Sequence, residues 1–398
     1  MRVLVLNPGS SSLKSSVVET STIPAPGTGG PTDTVGDALT EGLEPLARID
    51  LDWGSDATQE ADPADDIRLL LDRYEAAGVA AASLGAVGYR VVHGGERFRA
   101  PVLVTPHVIE LVDQLRSLAP LHNGIAVKAM RAGMATIPHL PHVAVFDTAF
   151  HATLPEEAYR YPVPGEWYRE WGVRRYGFHG MSVAWSVERA AALLGRPATT
   201  LRLIVAHLGS GCSVTAVDGG MSAATSMGFT PLEGLMMGTR SGSIDPGIMF
   251  YLIRTGRLTP DQMEDRLDHG SGLLGISGQT SDVRELLHHE AGGDAAAILA
   301  LTIFVRRAAQ EIAAAATVLP VVDGIVFTGG IGENAASIRA RIVGRLGVIG
   351  VAPIPSLAVS TDLVYGSDWP GPRVLRIQAR EDLVVARDAA RLAEARAR

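Results

Sequence analysis

The sequence predicts an α/β protein built from two domains, and three observations carry that expectation. At 398 residues the chain is longer than one ordinary hydrophobic core organises. Short β-rich apolar runs alternate with stretches of helical period, the pattern of α/β folds. Three of those runs break directly into glycine-rich turns, and ligands of α/β sheets bind off strand ends.

Val3–Leu6 opens the chain as a buried strand, stopped by Asn7 and Pro8. The segment Asn7-Pro-Gly-Ser-Ser-Ser-Leu-Lys14 then reads as a turn closed by a lysine. Backbone N–H groups, three hydroxyls and one cation at a strand end suit a phosphate chain. A polar turn without a ligand has the same composition, so both readings stand. It is not a Walker loop, because Gly-x-x-x-x-Gly-Lys-[Ser/Thr] occurs nowhere in the chain. Residues 19–66 are rich in Pro, Gly, Thr and acids, and Arg48 is their one basic residue. They read as an exposed hairpin with a loose acidic loop, with Asp62–Asp66 capping the next helix. Helix His107–Leu118, strand Val143–Phe146 and helix Ser182–Leu194 follow. Strand Leu203–Ala206 runs into His207-Leu208-Gly209-Ser210-Gly211. After the long helix Ala295–Val318, strand Ile325–Thr328 runs into Gly329-Gly330-Ile331-Gly332. Residues 353–372, with four prolines, read as an irregular connection near a domain boundary. Strand Val374–Ile377 and helix Glu381–Ala397 close the chain. The three turns together suggest one nucleotide cradle assembled from distant segments. Gly270-Ser271-Gly272-Leu273-Leu274-Gly275 matches Gly-x-Gly-x-x-Gly, but it follows the polar, helical Gln262–His269 instead of a strand. No helix clearly opens from it, so the dinucleotide reading fails in context. No repeat of fixed period is visible.

Composition narrows the classes of function. Hydrophobic residues make up 46% of the chain and charged residues 20%, which marks a globular protein. A net charge of −8 with no Lys/Arg-rich block argues against a nucleic-acid partner. The one cysteine, Cys212, rules out an internal disulfide, fits a reducing compartment and reads as a buried thiol in a Gly-rich turn. The early Asn7-Pro8 break leaves no signal-peptide core. The longest apolar run, Ala295–Val305, is cut by Arg306 and Arg307, so no membrane span is expected. A cytoplasmic protein is the expectation.

Several residues could carry chemistry. Arg90 stands in Tyr89-Arg90-Val91-Val92-His93-Gly94-Gly95, and Arg240 in Met236-Met237-Gly238-Thr239-Arg240-Ser241-Gly242. Guanidinium forks flanked by apolar residues and glycines can bracket a carboxylate or a transferring phosphoryl group. Asp147 follows a strand, where an acid can hold a metal, orient a nucleophile or cap a helix; the sequence leaves these open. His179, His122 and His207 read equally as core histidines, and no His/Cys pairs have zinc spacing. Covalent hydrolase chemistry has no support, since no Gly-x-Ser-x-Gly elbow is present.

These segments, in order and over nearly the whole chain, resemble the acetokinase family. The matching pieces are Asn7–Lys14, Arg90–Gly95, Ala119–Asn123, Phe146–His151, Tyr176–Gly180, His207–Gly211, Thr230–Gly242, Ser271–Gly278 and Phe327–Asn334. The resemblance implies two actin-like (ribonuclease H-like) ATPase domains with the active site in the cleft between them. It divides the chain into 1–150, joined by a C-terminal helix of about 381–398, and a nucleotide-binding domain of 151–380. It implies direct transfer of the ATP γ-phosphoryl group to acetate, with Mg²⁺ or Mn²⁺, in a homodimer. Carried over by residue, it implies Arg90 and Arg240 as clamps, Asp147 as the catalytic carboxylate and His179 as a transition-state donor. Asn7 and Glu381 look like the metal residues. Lys14, His207, Leu208, Gly209, Ser210, Gly211, Asp282, Val283, Arg284, Gly330, Ile331, Gly332, Glu333 and Asn334 look like nucleotide contacts. Val92, Leu121, Phe178 and Pro231 look like the pocket for the substrate methyl. The chain departs from the family pattern at Pro8, Tyr89, Met181–Val183, Ser210 and Ala379–Asp382. Rival expectations are a propionate or butyrate kinase of the same family, and a non-catalytic actin-like nucleotide-binding protein.

Overall fold

The computed structural model describes residues 1–9, 12–22, 44–52, 63–366 and 370–397, except the side chains of Thr22, Asp52, Pro63, Ser117, Pro120 and Leu121. The described residues fall into two compact units. One comprises the chain up to Ala152 together with Arg380 onward; the other is Thr153–Ala379.

Each unit is organised by one mixed six-stranded sheet. The first contains β1 (Arg2–Pro8), β2 (Ser12–Glu19), β3 (Ala47–Asp52), β4 (Leu84–Val91), β5 (Val102–Leu103) and β6 (His142–Phe146), in the order β3-β2-β1-β4-β6-β5. The second contains β7 (Arg202–Leu208), β8 (Cys212–Asp218), β9 (Met221–Thr225), β10 (Gly324–Thr328), β11 (Leu363–Tyr365) and β12 (Arg373–Arg376), in the order β11-β12-β10-β7-β8-β9. Read from opposite edges, the two sheets have one topology. An antiparallel meander (β1-β2-β3; β7-β8-β9) is followed by two parallel strands (β4, β6; β10, β12) and an antiparallel edge strand (β5; β11). The central strands are apolar on both faces, as strands covered by helices must be. A pattern of apolar strands can repeat while residue identities do not, so this duplication left no periodic trace in the sequence.

The predicted strands are all present, each extended by one to three residues or shifted by one. Helix Glu381–Ala397 matches its prediction, and Ala295–Ala316 ends two residues early. Two expectations are revised and a third is placed. Lys14 does not close a turn: it lies inside β2, paired opposite Asn7 on β1. The described part of 353–372 lies within the second unit, which the chain leaves at Ala379. Gly272–Ser277 forms a short helix opening from the Gly-x-Gly-x-x-Gly match, but helix Pro260–His269 precedes it, so the strand the motif needs is absent. Ser10, Ser11 and most of 19–66, including Asp62, lie outside the described residues.

Local chemistry explains several helix starts. Thr259 and Gln262 form a reciprocal capping box, and Asp282 and Asp294 accept from the first N–H groups of their helices. No helix among the described residues is long and apolar enough to cross a membrane.

Candidate active site

In the first unit, Arg90 lies near the C-terminal end of β4, and Asp147 follows the neighbouring parallel strand β6. Asp147 is almost fully buried, and its carboxylate takes hydrogen bonds from Arg90 Nε at 3.2 Å and Nη2 at 2.7 Å. Arg90 Nη1 reaches Asn7 Oδ1 at 3.4 Å and Glu381 Oε2 at 3.1 Å. Burial lowers the guanidinium pKa, but the charges of Asp147 and Glu381 more than offset it, and the net shift is upward. Arg90 is therefore a fixed cation. Glu381 arrives on the first turn of the C-terminal helix, which packs on β4 at Gly88. A Cβ there would sit 2.6 Å from Val385 Cγ1, so glycine lets the helix close onto the strand. Asp147 is the ion-pair partner of Arg90. Val92 is half-buried just past β4. Leu121 falls in helix Pro120–Thr136, and its side chain is outside the described residues.

In the second unit, the β7–β8 hairpin carries His207–Gly211, and β10 runs into the six-residue helix Gly329–Asn334. β7 and β10 are parallel neighbours, so both glycine turns lie at one sheet end. A Cβ on Gly329 would come within 2.8 Å of Leu208 O, so these loops touch because glycine permits it. Gly330 has open space where a side chain would be, which leaves backbone N–H groups approachable. His179 and Arg240 converge on the same hairpin. The position a Gly211 Cβ would take lies 3.2 Å from His179 Nε2 and 3.5 Å from Arg240 Nη1. Arg240 is weakly tethered, with Nη1 3.3 Å from Pro231 O and Nε 3.9 Å from Asp268. Burial pulls its pKa down, opposed by Asp268. Phe178 is buried and Pro231 half-buried beside these residues in sequence.

Of the three predicted strand-end turns, two come together in the second unit, and the Asn7 turn belongs to the first. By position in the duplicated sheets, the Asn7–Lys14 hairpin corresponds to the His207–Gly211 hairpin, and the end of β4 to the Gly329 loop.

A model of the acetokinase family matches residues 2–387. The chain belongs to the acetokinase family. The acetate kinase of Deinococcus radiodurans is 47% identical to it, over 98% of this chain and 98% of its own. A Porphyromonas gingivalis acetate kinase structure superposes with a TM-score of 0.84 at 32% identity, covering 98% of this chain and 99% of that one. A Francisella tularensis propionate kinase structure superposes at 0.82 and 34% identity, with the same coverage. This is a family of phosphotransferases with a carboxyl acceptor.

The remaining predicted residues of this acetokinase are set in local structure. Asp282 caps helix Val283–Ala291 and pairs with the exposed Arg284, whose hydrogen bond holds the Asp282 carboxyl down at about 2. Val283 is buried. Glu333 is half-buried and accepts from Ala379 N at 2.9 Å, with Arg376 3.8 Å away; burial raises its pKa. Its carboxylate is thus committed inside the protein. Asn334 Nδ2 bonds back to Gly330 O at 2.9 Å. Burial pushes the Cys212 thiol up to about 12, and its Sγ lies 3.3 Å from Gly209 O, so it is an inert packing residue.

Sequence reasoning missed the supports of these loops. Asn123 holds His93 by two backbone bonds of 3.1 and 2.9 Å, which sets the His93-Gly94-Gly95 turn. Arg339, fully buried, donates to the carbonyls of Gly332 and Glu333 at 2.9 and 2.7 Å. Arg175 donates to the Ser226 and Met227 carbonyls at 2.8 and 3.0 Å and pairs with Glu233 at 2.7 Å, bracing the Thr230–Gly242 segment. Each is an arginine or amide at an ordinary helix or loop position, and no local signal separates it from a solvated one.

Proposed function

We propose that this acetokinase transfers the ATP γ-phosphoryl group to acetate, giving acetyl phosphate and ADP, by direct in-line attack. The convergence of Arg240 Nη1 and His179 Nε2 on the Gly211 hairpin carries the proposal. It supplies a cationic fork and an imidazole at the glycine turns, where a phosphate chain would lie. Phosphoryl transfer asks for positioning and charge neutralisation more than covalent chemistry. Acetate is already ionised, so no strong base is needed. Asp147 serves instead to fix Arg90, whose remaining Nη2 hydrogen can take a carboxylate oxygen.

His207–Gly211, Asp282–Arg284 and Gly330–Asn334 form the nucleotide side, with backbone N–H groups of the glycine turns as the main donors. Lys14 supplies a cation beside Asn7. Val92 and Leu121 of the first unit, and Phe178 and Pro231 of the second, are the apolar candidates for contact with the substrate methyl. No group of three or more His, Cys, Asp or Glu among the described residues could hold a metal alone. Asn7 Oδ1 and Glu381 Oε2, both within reach of Arg90 Nη1, are hard oxygen donors of the kind taken by Mg²⁺, an ion that binds by one or two protein oxygens plus waters and phosphates. Asn7 and Glu381 would hold it, and it would neutralise phosphate charge. The buried, protonated thiol of Cys212 suits a cytoplasmic setting. A homodimer is supported by helix Pro246–Arg254, which buries no residue and exposes Ile248, Phe250, Tyr251 and Ile253. Sedimentation that stays monomeric at high concentration would remove that assignment.

The test is hydroxamate trapping of the acyl phosphate with ATP, Mg²⁺ and a series of short carboxylates. Acetate should give the highest kcat/KM, and excess chelator should abolish turnover. Preference for propionate would move the protein to the propionate kinases, and full activity in chelator would remove the metal from the mechanism.

A further inference from the structure

We infer that Ser213 is a positioning residue that sets the tautomer of His179, keeping a hydrogen on Nε2 for the phosphoryl group. The inference rests on the acetate kinase reading and deepens it. Ser213 is fully buried on β8, paired opposite His207 of β7. Its Oγ lies 2.9 Å from His179 Nδ1. His179 is the one described non-glycine residue with positive φ, at 58°, a conformation kept only where surrounding contacts enforce it. Its ring stacks on His207 with centroids 4.1 Å apart and planes 19° apart, and His207 Nδ1 lies 2.8 Å from the buried Ser182 Oγ.

A neutral imidazole carries one N–H, and the partner of one nitrogen decides which nitrogen holds it. A hydroxyl donating to Nδ1 leaves the hydrogen on Nε2, the nitrogen that faces the Gly211 hairpin. His142 in the first unit shows a hydroxyl donating to Nδ1, there because a carbonyl fixes the other nitrogen. Its Nε2 lies 3.0 Å from the Ile137 carbonyl, which can only accept, so Nδ1 takes the hydrogen of the Tyr89 hydroxyl 2.7 Å away. In His142 the Nε2 hydrogen is spent on a carbonyl; in His179 it is directed at the glycine turn.

The experiment uses full-length protein with ¹⁵N-labelled histidine, the His179 signals being assigned by their loss in His179→Gln. Where its ring is neutral, wild-type His179 should carry its hydrogen on Nε2, and Ser213→Ala should show a mixture of tautomers. In the same variant kcat should fall about tenfold, the worth of about one hydrogen bond, with both KM values within about twofold. Ser213→Thr should restore both the tautomer and the rate. A wild-type His179 protonated on Nδ1, or an unchanged tautomer in Ser213→Ala, overturns the inference. So does a changed tautomer with unchanged kcat. If Ser213→Ala does not fold, Ser213→Cys, which keeps the volume with a weaker donor, is read by the same criteria. The tautomer measurement needs no turnover, so absence of acetyl phosphate from the wild type would count against the acetate kinase reading alone.

Discussion

Replacing Arg240 by alanine separates catalysis from stability in a way the structure makes quantitative. Its tether to the protein is thin: one 3.3 Å bond to the Pro231 carbonyl, a 3.8 Å approach to Met237 Sδ and a 3.9 Å ion pair with Asp268. Both side chains of that pair reach solvent, at 24% and 27% exposure, so the pair contributes at most about 1 kcal/mol. The carbonyl bond adds about 1 kcal/mol. Folding should therefore lose no more than about 2 kcal/mol. Loss of one preorganised donor at a developing charge costs about 10²–10³ in kcat, or roughly 3–4 kcal/mol. Arg240→Ala should therefore lower kcat by about 10²–10³ while the protein stays folded and ATP affinity changes little. Arg240→Lys should recover only part of the rate, because an ammonium keeps the charge and loses the fork. The assay is steady-state acyl phosphate formation, with thermal unfolding on the same preparations. A folded Arg240→Ala enzyme with kcat within about threefold of wild type would refute the donor assignment, since such a donor is worth far more.

Asp147→Asn should cost both rate and fold, unlike Arg240→Ala. It removes the charge from a carboxylate with 1% exposure that fixes Arg90, and broken buried pairs cost about 3–5 kcal/mol; denaturant unfolding with m unchanged measures this. Val92→Ala should raise the propionate-to-acetate ratio of kcat/KM about tenfold, since each methylene is worth about 1–3 kcal/mol, and an unchanged ratio would take Val92 out of the pocket. His142 predicts a pH dependence of stability. Burial lowers its pKa below 6.5, so the folded state stays neutral while the unfolded chain takes a proton. Stability is then full above about pH 6.5 and declines as pH falls from there toward the depressed folded value. His142→Gln should flatten that limb in thermal melts between pH 7 and 5, and an equally steep limb in the variant would assign it elsewhere.

Much of the molecule follows from local sequence. Val3–Leu6, Leu203–Ala206 and Ile325–Thr328 mark strands because continuous β-branched and aliphatic runs suit a sheet covered on both faces. The glycines after them mark turns because only glycine allows the approach that Gly329 makes to the Leu208 carbonyl. Tertiary structure decided the rest. It placed Lys14 inside β2, since pairing with Asn7 extended a strand that composition reads as a turn. It joined Arg90 to Asp147, 57 residues away, and to Glu381 on the last helix, and so turned an acid of ambiguous role into the anchor of a guanidinium. It also brought Ser213 to His179 and buried Arg339 under the Gly329 loop. Periodicity and turn chemistry act over a few residues, so the chain's own pattern reveals its elements. Which side chains meet is set by strand order and helix packing, and these depend on contacts between residues far apart in the chain.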